Sequence, residues 1–280
     1  MKTVLLPCGE HVPAFGQGTW NIGERRATRA EEIATLRLGL DLGATLIDTA
    51  EMYGEGRSEE LIAEAITGRR HEVFLVSKVY PHNASAKAVA AACERSLKRL
   101  NTDRIDLYLL HWRGEVPFAE TMAAFEALQR AGKIRHYGVS NLDHADMREL
   151  WAAPGGKAIA TNQLLYNLTR RGIEFDLLPW LRERHVPVMA YSPLEQARLL
   201  KHTGNAGLVS FAKRHSMTPA QAALAWLLAQ EDIIVIPKTG RSERLKENLG
   251  ALDISLDAAQ LAELDGLFAP PTRPRPLEML

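Results

Sequence analysis

An acid, a tyrosine, a lysine and a histidine follow one another as Asp48, Tyr53, Lys78 and His111, with the tyrosine five positions after the acid. Together they could donate a proton. A tyrosine with an ordinary pKa near 10 is a poor acid at neutral pH. A nearby ammonium favours its phenolate, and a carboxylate keeps that ammonium charged and aimed. A neutral imidazole can share the negative charge that develops on a carbonyl oxygen. Such a set suits reduction of a carbonyl by an external hydride, with no role for a metal and no metal-ligand spacing. Singly, each residue has a plainer reading. Asp48 could cap a helix, Lys78 could be a solvated charge, Tyr53 could decorate a glycine turn, and His111 could be a satisfied histidine between Leu110 and Trp112.

Elements able to gather the four are visible as short, almost wholly apolar runs at 45–48, 73–78, 105–111, 134–140, 158–163, 187–192 and 233–237. Unbroken apolarity, rather than alternation, suits parallel strands covered on both faces. An eighth run fits at 14–20, preceded by a possible hairpin of 3–6 with 11–12. Helix-like stretches lie between. Thr28 with Glu31, and Thr218-Pro219 with Gln221, have capping-box spacing; Gly43 should stop the first helix, and Ser85, Asp143, Ser242 and Ser255 are further candidate caps. About eight strand–helix repeats predict either a closed barrel or a doubly wound sheet. The second should carry G-x-G-x-x-G after its first strand, but Gly16-Gln17-Gly18 continues to Asn21 and Gly54-Glu55-Gly56 to Glu59. A (β/α)8 barrel is therefore expected, as one domain over 1–280 with a proline-rich extension at 270–280. Barrel active sites lie at the C-terminal strand ends. There the chain places Asp48, Lys78, His111, Ser140-Asn141, Gln163, Tyr191-Ser192 and Lys238-Thr239.

Composition narrows the partners. The 280 residues carry 34 basic and 34 acidic side chains. That balance argues against nucleic acid or an anionic membrane and makes any anion site a local cluster, for which Lys238, Arg241 and Arg244 are candidates. Two cysteines form no disulfide framework, and no apolar run suits a secretory signal or a membrane span. The cytoplasm is the expected compartment.

The stretch Asp48-Thr49-Ala50-Glu51-Met52-Tyr53-Gly54, and Ile236-Pro237-Lys238-Thr239 followed by Arg244 and Glu247-Asn248, resemble the signatures of the aldo-keto reductase family. The likeness runs from Gly18-Thr19-Trp20 to Asn248 and is strongest, at 41–58 and 138–166, to bacterial methylglyoxal-reductase-like members. It implies NADPH as cofactor, Tyr53 as general acid, Lys78 as its partner, Asp48 as the anchor of Lys78, and His111 as the group orienting the carbonyl. Ser140, Asn141 and Gln163 match positions that bind the nicotinamide carboxamide, and Tyr191 the ring on which the nicotinamide stacks. Ser192, Pro193 and Leu194 match the pyrophosphate loop. Lys238, Thr239 and Arg244, with Arg241 nearby, match the clamp on the 2′-phosphate, and Glu247 and Asn248 the adenine contacts. Gly18, Thr19, Trp20, Asp48 and Ile236 complete the implied cofactor surface.

Trp20, Tyr53, Tyr80, His111 and Trp112 match the substrate pocket, although many animal members have tryptophan where this chain has Tyr80. The short connections imply a shallow, open pocket for small aldehydes, 2-oxoaldehydes and some ketones. The protein is expected to act as a monomer, with a dimer left open. Two other readings compete: an NADPH-binding regulatory or redox-sensing barrel with little turnover, and a glycosidase or lyase pairing Asp48 with Glu51. The first leaves an intact tetrad without purpose; the second leaves Tyr53 and Lys78 unexplained.

Overall fold

A computed structural model describes residues 2–201 and 205–280. Its ten strands are β1 (Thr3–Leu5), β2 (His11–Pro13), β3 (Gly16–Gly18), β4 (Leu46–Asp48), β5 (Phe74–Val79), β6 (Ile105–Leu110), β7 (Ile134–Ser140), β8 (Asn162–Leu165), β9 (Val188–Tyr191) and β10 (Ile233–Val235). Its ten helices are α1 (Arg29–Asp41), α2 (Arg57–Ala65), α3 (Ala86–Leu100), α4 (Phe118–Arg130), α5 (His144–Ala152), α6 (Leu177–Arg182), α7 (Ala206–Arg214), α8 (Pro219–Ala229), α9 (Ser242–Leu249) and α10 (Ala258–Leu267).

Strands β3 to β10 pair in sequence order, all parallel. Parallel bridges from Phe15 to Val235 and from Gly18 to Lys238 bring the last strand to the first. The expected (β/α)8 barrel is therefore present, with a separate antiparallel hairpin of β1 and β2 ahead of it. Every residue of β5 and β6 is buried, as strands with helices outside and packed side chains inside require. The hairpin covers the N-terminal strand ends: Val4, Leu6 and Val12 are buried in the core, and Glu10 reaches Arg135 and His136 at the start of β7.

Local signals decide where the helices begin. Thr218 and Asp143 cap α8 and α5 through their side chains, Thr218 in a full capping box with Gln221. Gly43, at φ +88°, follows α1 as a left-handed stop. Thr28 differs from expectation. The preceding 3₁₀ turn leaves it in a helical conformation, so its hydroxyl bonds Arg25 O and Glu32 rather than boxing with Glu31. The cap of α10 is Asp257, boxed with Gln260, not Ser255; α9 is capped at Arg241, one residue before Ser242. The run expected at 158–163 begins as a 3₁₀ turn ending at Ala158, and β8 starts only at Asn162.

Candidate active site

The C-terminal ends of β4, β5 and β6 and the loop after β4 bring Asp48, Tyr53, Lys78 and His111 together. Asp48 closes β4, and the chain then turns through Tyr53–Gly56, where Gly54, Glu55 and Gly56 all have positive φ. Left-handed geometry at three successive positions reverses the chain tightly into α2, and the two glycines adopt it without strain. A Cβ on Gly56 would lie 2.5 Å from Arg99 Cδ, so this turn is also closely packed. Beneath it Ser58 Oγ accepts from Thr49 and lies 2.9 Å from Thr19 Oγ1, while Thr19 Oγ1 donates to Asp48 O at 2.8 Å.

Lys78, on β5, is fully buried. Its Nζ donates to Asp48 Oδ2 at 2.9 Å, Thr49 O at 2.7 Å and Tyr53 Oη at 3.1 Å, so all three of its protons are placed. Burial works against the ammonium, but Asp48 and Tyr53 outweigh it and hold the Lys78 pKa above its ordinary value. Burial also raises the Tyr53 hydroxyl above 10; Lys78 opposes that rise without cancelling it. The lysine therefore restrains the tyrosine pKa rather than bringing it below the usual value. The phenol is a protonated donor throughout the neutral range.

His111 follows β6, its ring edge-on to Tyr53 with centroids 5.9 Å apart. Burial, with the Lys78 charge nearby, pushes its pKa down to about 2, so the imidazole is neutral. Its buried Nδ1 has no hydrogen-bond partner among the described residues.

A cavity of about 870 Å³ opens beside the tetrad. It is lined by Tyr53, His111 and Asp48, but not by Lys78, which sits behind them. Along one side lie Ser140, Asn141, Gln163 and Tyr191. Asn141, at φ +57°, donates to His111 O and accepts the Tyr191 hydroxyl at 2.9 Å, which fixes the tyrosine ring. Gln163 Nε2 donates to Asp48 Oδ1 at 2.7 Å. This contact joins the Ser140–Asn141–Gln163 side of the cavity to Asp48 and Lys78, and strand-end position alone gave no sign of it. Ser192, Pro193, Leu194, Ile236, Lys238, Thr239, Arg244, Glu247 and Asn248 also line the cavity, as do Gly18, Thr19 and Trp20. At Gly18 a Cβ would meet Ile236 O at 2.7 Å, so only glycine lets β3 close against the last strand there.

Two expected residues stand apart. Arg241 does not line the cavity; its backbone N–H turns in to Thr239 Oγ1 as α9 begins. Tyr80 lies outside the lining too, edge-on behind Trp112 at 5.8 Å between centroids. The lining also includes Lys201, Met279 and Leu280, which sequence reasoning did not single out. Glu278 pairs with Arg170, and Arg170 also grips Glu195 of the loop after β9, so the tail forms a wall of the cavity.

Away from the cavity, Cys8, Glu10 and His136 have donor atoms within 4.8 Å of one another. Glu10 there already accepts from Arg135 at 2.6 and 2.7 Å.

The family model described as "Aldo/keto reductase family" matches residues 14–269. The chain belongs to the aldo/keto reductase family. Among similar proteins is "Methylglyoxal reductase YeaE" of Escherichia coli (strain K12), 51% identical over 271 residues, 96% of this chain and 95% of that one. "Glyoxal reductase" of Bacillus subtilis (strain 168) is 32% identical over 270 residues, covering 95% and 92%. A crystal structure of an aldo/keto reductase from Klebsiella pneumoniae "in complex with NADP and acetate" superposes with a TM-score of 0.96 at 49% identity, covering 100% of this chain and 99% of that one. As an aldo/keto reductase the chain is an oxidoreductase. Among the described residues no helix is long and apolar enough to cross a membrane.

Proposed function

We propose that this aldo/keto reductase uses NADPH to reduce small aldehydes and 2-oxoaldehydes such as methylglyoxal, and some ketones, to alcohols. The observation that carries this reading is the Tyr53 hydroxyl, at 3.1 Å from a buried ammonium and facing a cavity beside a neutral imidazole. NADPH supplies the hydride when bound, and the residues present suit it. The cavity has an aromatic platform in Tyr191, held by Asn141, and a basic end in Lys238 and Arg244 for a phosphate. The relatives' names and the bound NADP of the Klebsiella enzyme support the same assignment.

The chain's own groups account for the proton. His111 donates a hydrogen bond to the carbonyl oxygen without carrying charge, and Tyr53 gives that oxygen its proton as negative charge develops there. Lys78 stabilises the phenolate left behind, and Asp48 keeps Lys78 charged and pointed at the oxygen. Trp20 and Trp112 face the carbonyl's carbon substituents, leaving room for a small, partly apolar group.

The chain is proposed to act in the cytoplasm as a single-domain monomer. The test is NADPH consumption across methylglyoxal, other aldehydes, ketones and quinones, with NADH in parallel. Turnover of methylglyoxal with NADPH well above NADH is expected. Bulky ketones reacting while methylglyoxal does not would overturn the substrate assignment.

A further inference from the structure

Glu51 lies between Asp48 and Tyr53 in the same loop, yet its carboxylate points away from both reactive groups. It is buried, its side chain 6% exposed. Oε1 accepts from the Tyr80 backbone N–H at 2.8 Å and from Asn83 Nδ2 at 3.0 Å. Oε2 faces the Arg95 guanidinium of α3 at 3.5 Å, and the Glu51 N–H donates to Lys78 O at 3.3 Å. The residue thus grips the chain on both sides of Val79. It ties the loop bearing the proton donor to the segment that leaves β5.

That segment carries the aromatic wall. Tyr80 stacks on His82 at 4.7 Å and meets Trp112 edge-on at 5.8 Å, and Trp112 lines the cavity. Tyr80 buttresses Trp112 from behind, and its own place is set by the bond to Glu51. A hydrogen bond to a charged acceptor is worth more than a neutral one, and losing it leaves the part-buried Tyr80 amide without its partner.

We infer that Glu51 is a positioning residue: it sets the distance between the Tyr53 proton donor and the Tyr80–Trp112 wall, and so the fit of a substrate's apolar substituent. It is not the partner of Asp48 in a carboxylate pair. The inference rests on the carbonyl-reductase reading for its kinetic consequence, but not for its structural one.

Glu51→Ala and Glu51→Gln separate these roles. Gln keeps an acceptor for the Tyr80 N–H, whereas Ala keeps none. With phenylglyoxal, whose ring must rest on Trp112, Glu51→Ala should raise KM about 10-fold or more, as expected for one lost charged hydrogen bond. With methylglyoxal the rise should be only about 2-fold, and kcat and NADPH affinity should change little. Glu51→Gln should recover most of the phenylglyoxal KM.

A second readout needs no turnover. In protein labelled with 5-fluorotryptophan, the Trp112 fluorine resonance, assigned by its loss in Trp112→Phe, should shift or broaden in Glu51→Ala and stay near the native position in Glu51→Gln. A wild type that reduces no carbonyl would sink the reductase reading, and the fluorine spectrum would still judge the wall. An unmoved Trp112 resonance in Glu51→Ala overturns the inference. So does an unchanged phenylglyoxal KM, or a Gln variant as impaired as Ala with a limb missing from its pH profile.

Discussion

Lys78→Met is the most informative single change, because the lysine touches no solvent and every expected effect traces to its three bonds. Met is close in shape, so packing is little disturbed. Two separate losses follow. The first is stability: Asp48, its side chain 3% exposed, loses its counter-charge and keeps only Gln163 at 2.7 Å. Breaking a buried pair by removing one partner costs about 3–5 kcal/mol. The second is catalysis. At 3.1 Å from the Tyr53 oxygen and an effective dielectric of about 20, the ammonium favours the phenolate by ~5 kcal/mol.

The Asp48 charge takes back part of that gain, and a proton only partly transferred at the transition state realises part of the remainder. The expected fall in kcat is about 10²–10³-fold. Stopped-flow or steady-state NADPH oxidation at pH 7 measures it, with thermal melting on the same sample. Adding Asp48→Asn separates the two losses. With both charges gone, most of the stability should return while turnover stays low. A Lys78→Met enzyme within tenfold of wild-type kcat would refute the reasoning, as would a double variant that regains activity along with its melting temperature.

The other predictions concern neighbouring groups. His111, held neutral with a pKa pushed down to about 2, should show no imidazole titration between pH 4 and 8 by NMR; a resonance titrating near 6.5 would contradict it. Tyr53→Phe should cut kcat by about 10²–10⁴-fold while NADPH affinity, followed by fluorescence, changes little, since only the acid is removed. Arg244→Ala should weaken NADPH binding by about 10–100-fold and leave NADH almost unaffected, the difference being one charged contact to phosphate; equal losses would remove Arg244 from the clamp. Burial raises the Tyr108 and Tyr166 hydroxyls above the ordinary value of 10. Because the fold favours their protonated forms, the stability they contribute is present below pH 10 and lost as pH rises towards the folded values. Through these two groups the melting temperature should hold near neutrality and fall in alkali, which thermal melts between about pH 7 and 11 would read.

The barrel and its tetrad were legible for one reason. Parallel strands covered on both faces read as unbroken apolar runs, and a polar residue that ends such a run stands out. Asp48, Lys78, His111 and Gln163 were found this way, and Tyr53 by its spacing from Asp48. What escaped depends on contacts made across space. No local pattern says that Gln163 would donate to Asp48, that Tyr80 would stand behind Trp112, or that Arg241 would turn its backbone inward. The walls supplied by Met279 and Leu280 depend on the Arg170–Glu278 pair, formed across 108 residues of chain. Some misses had a signal. Asp257 with Gln260 has the same capping spacing as Thr218 with Gln221, and weighing it against Ser255 would have placed the start of α10.

The two ends of the described chain differ in how they bear manipulation. Lys2 lies by the hairpin at the N-terminal face of the barrel, bonded to Leu228 O, with the whole length of the strands between it and the cavity. Leu280 lies on the cavity wall. Chain joined to Leu280 would start on the wall of the cavity, two residues past the Arg170–Glu278 pair. Affinity tags, reporter fusions and surface-immobilisation handles therefore belong before Lys2.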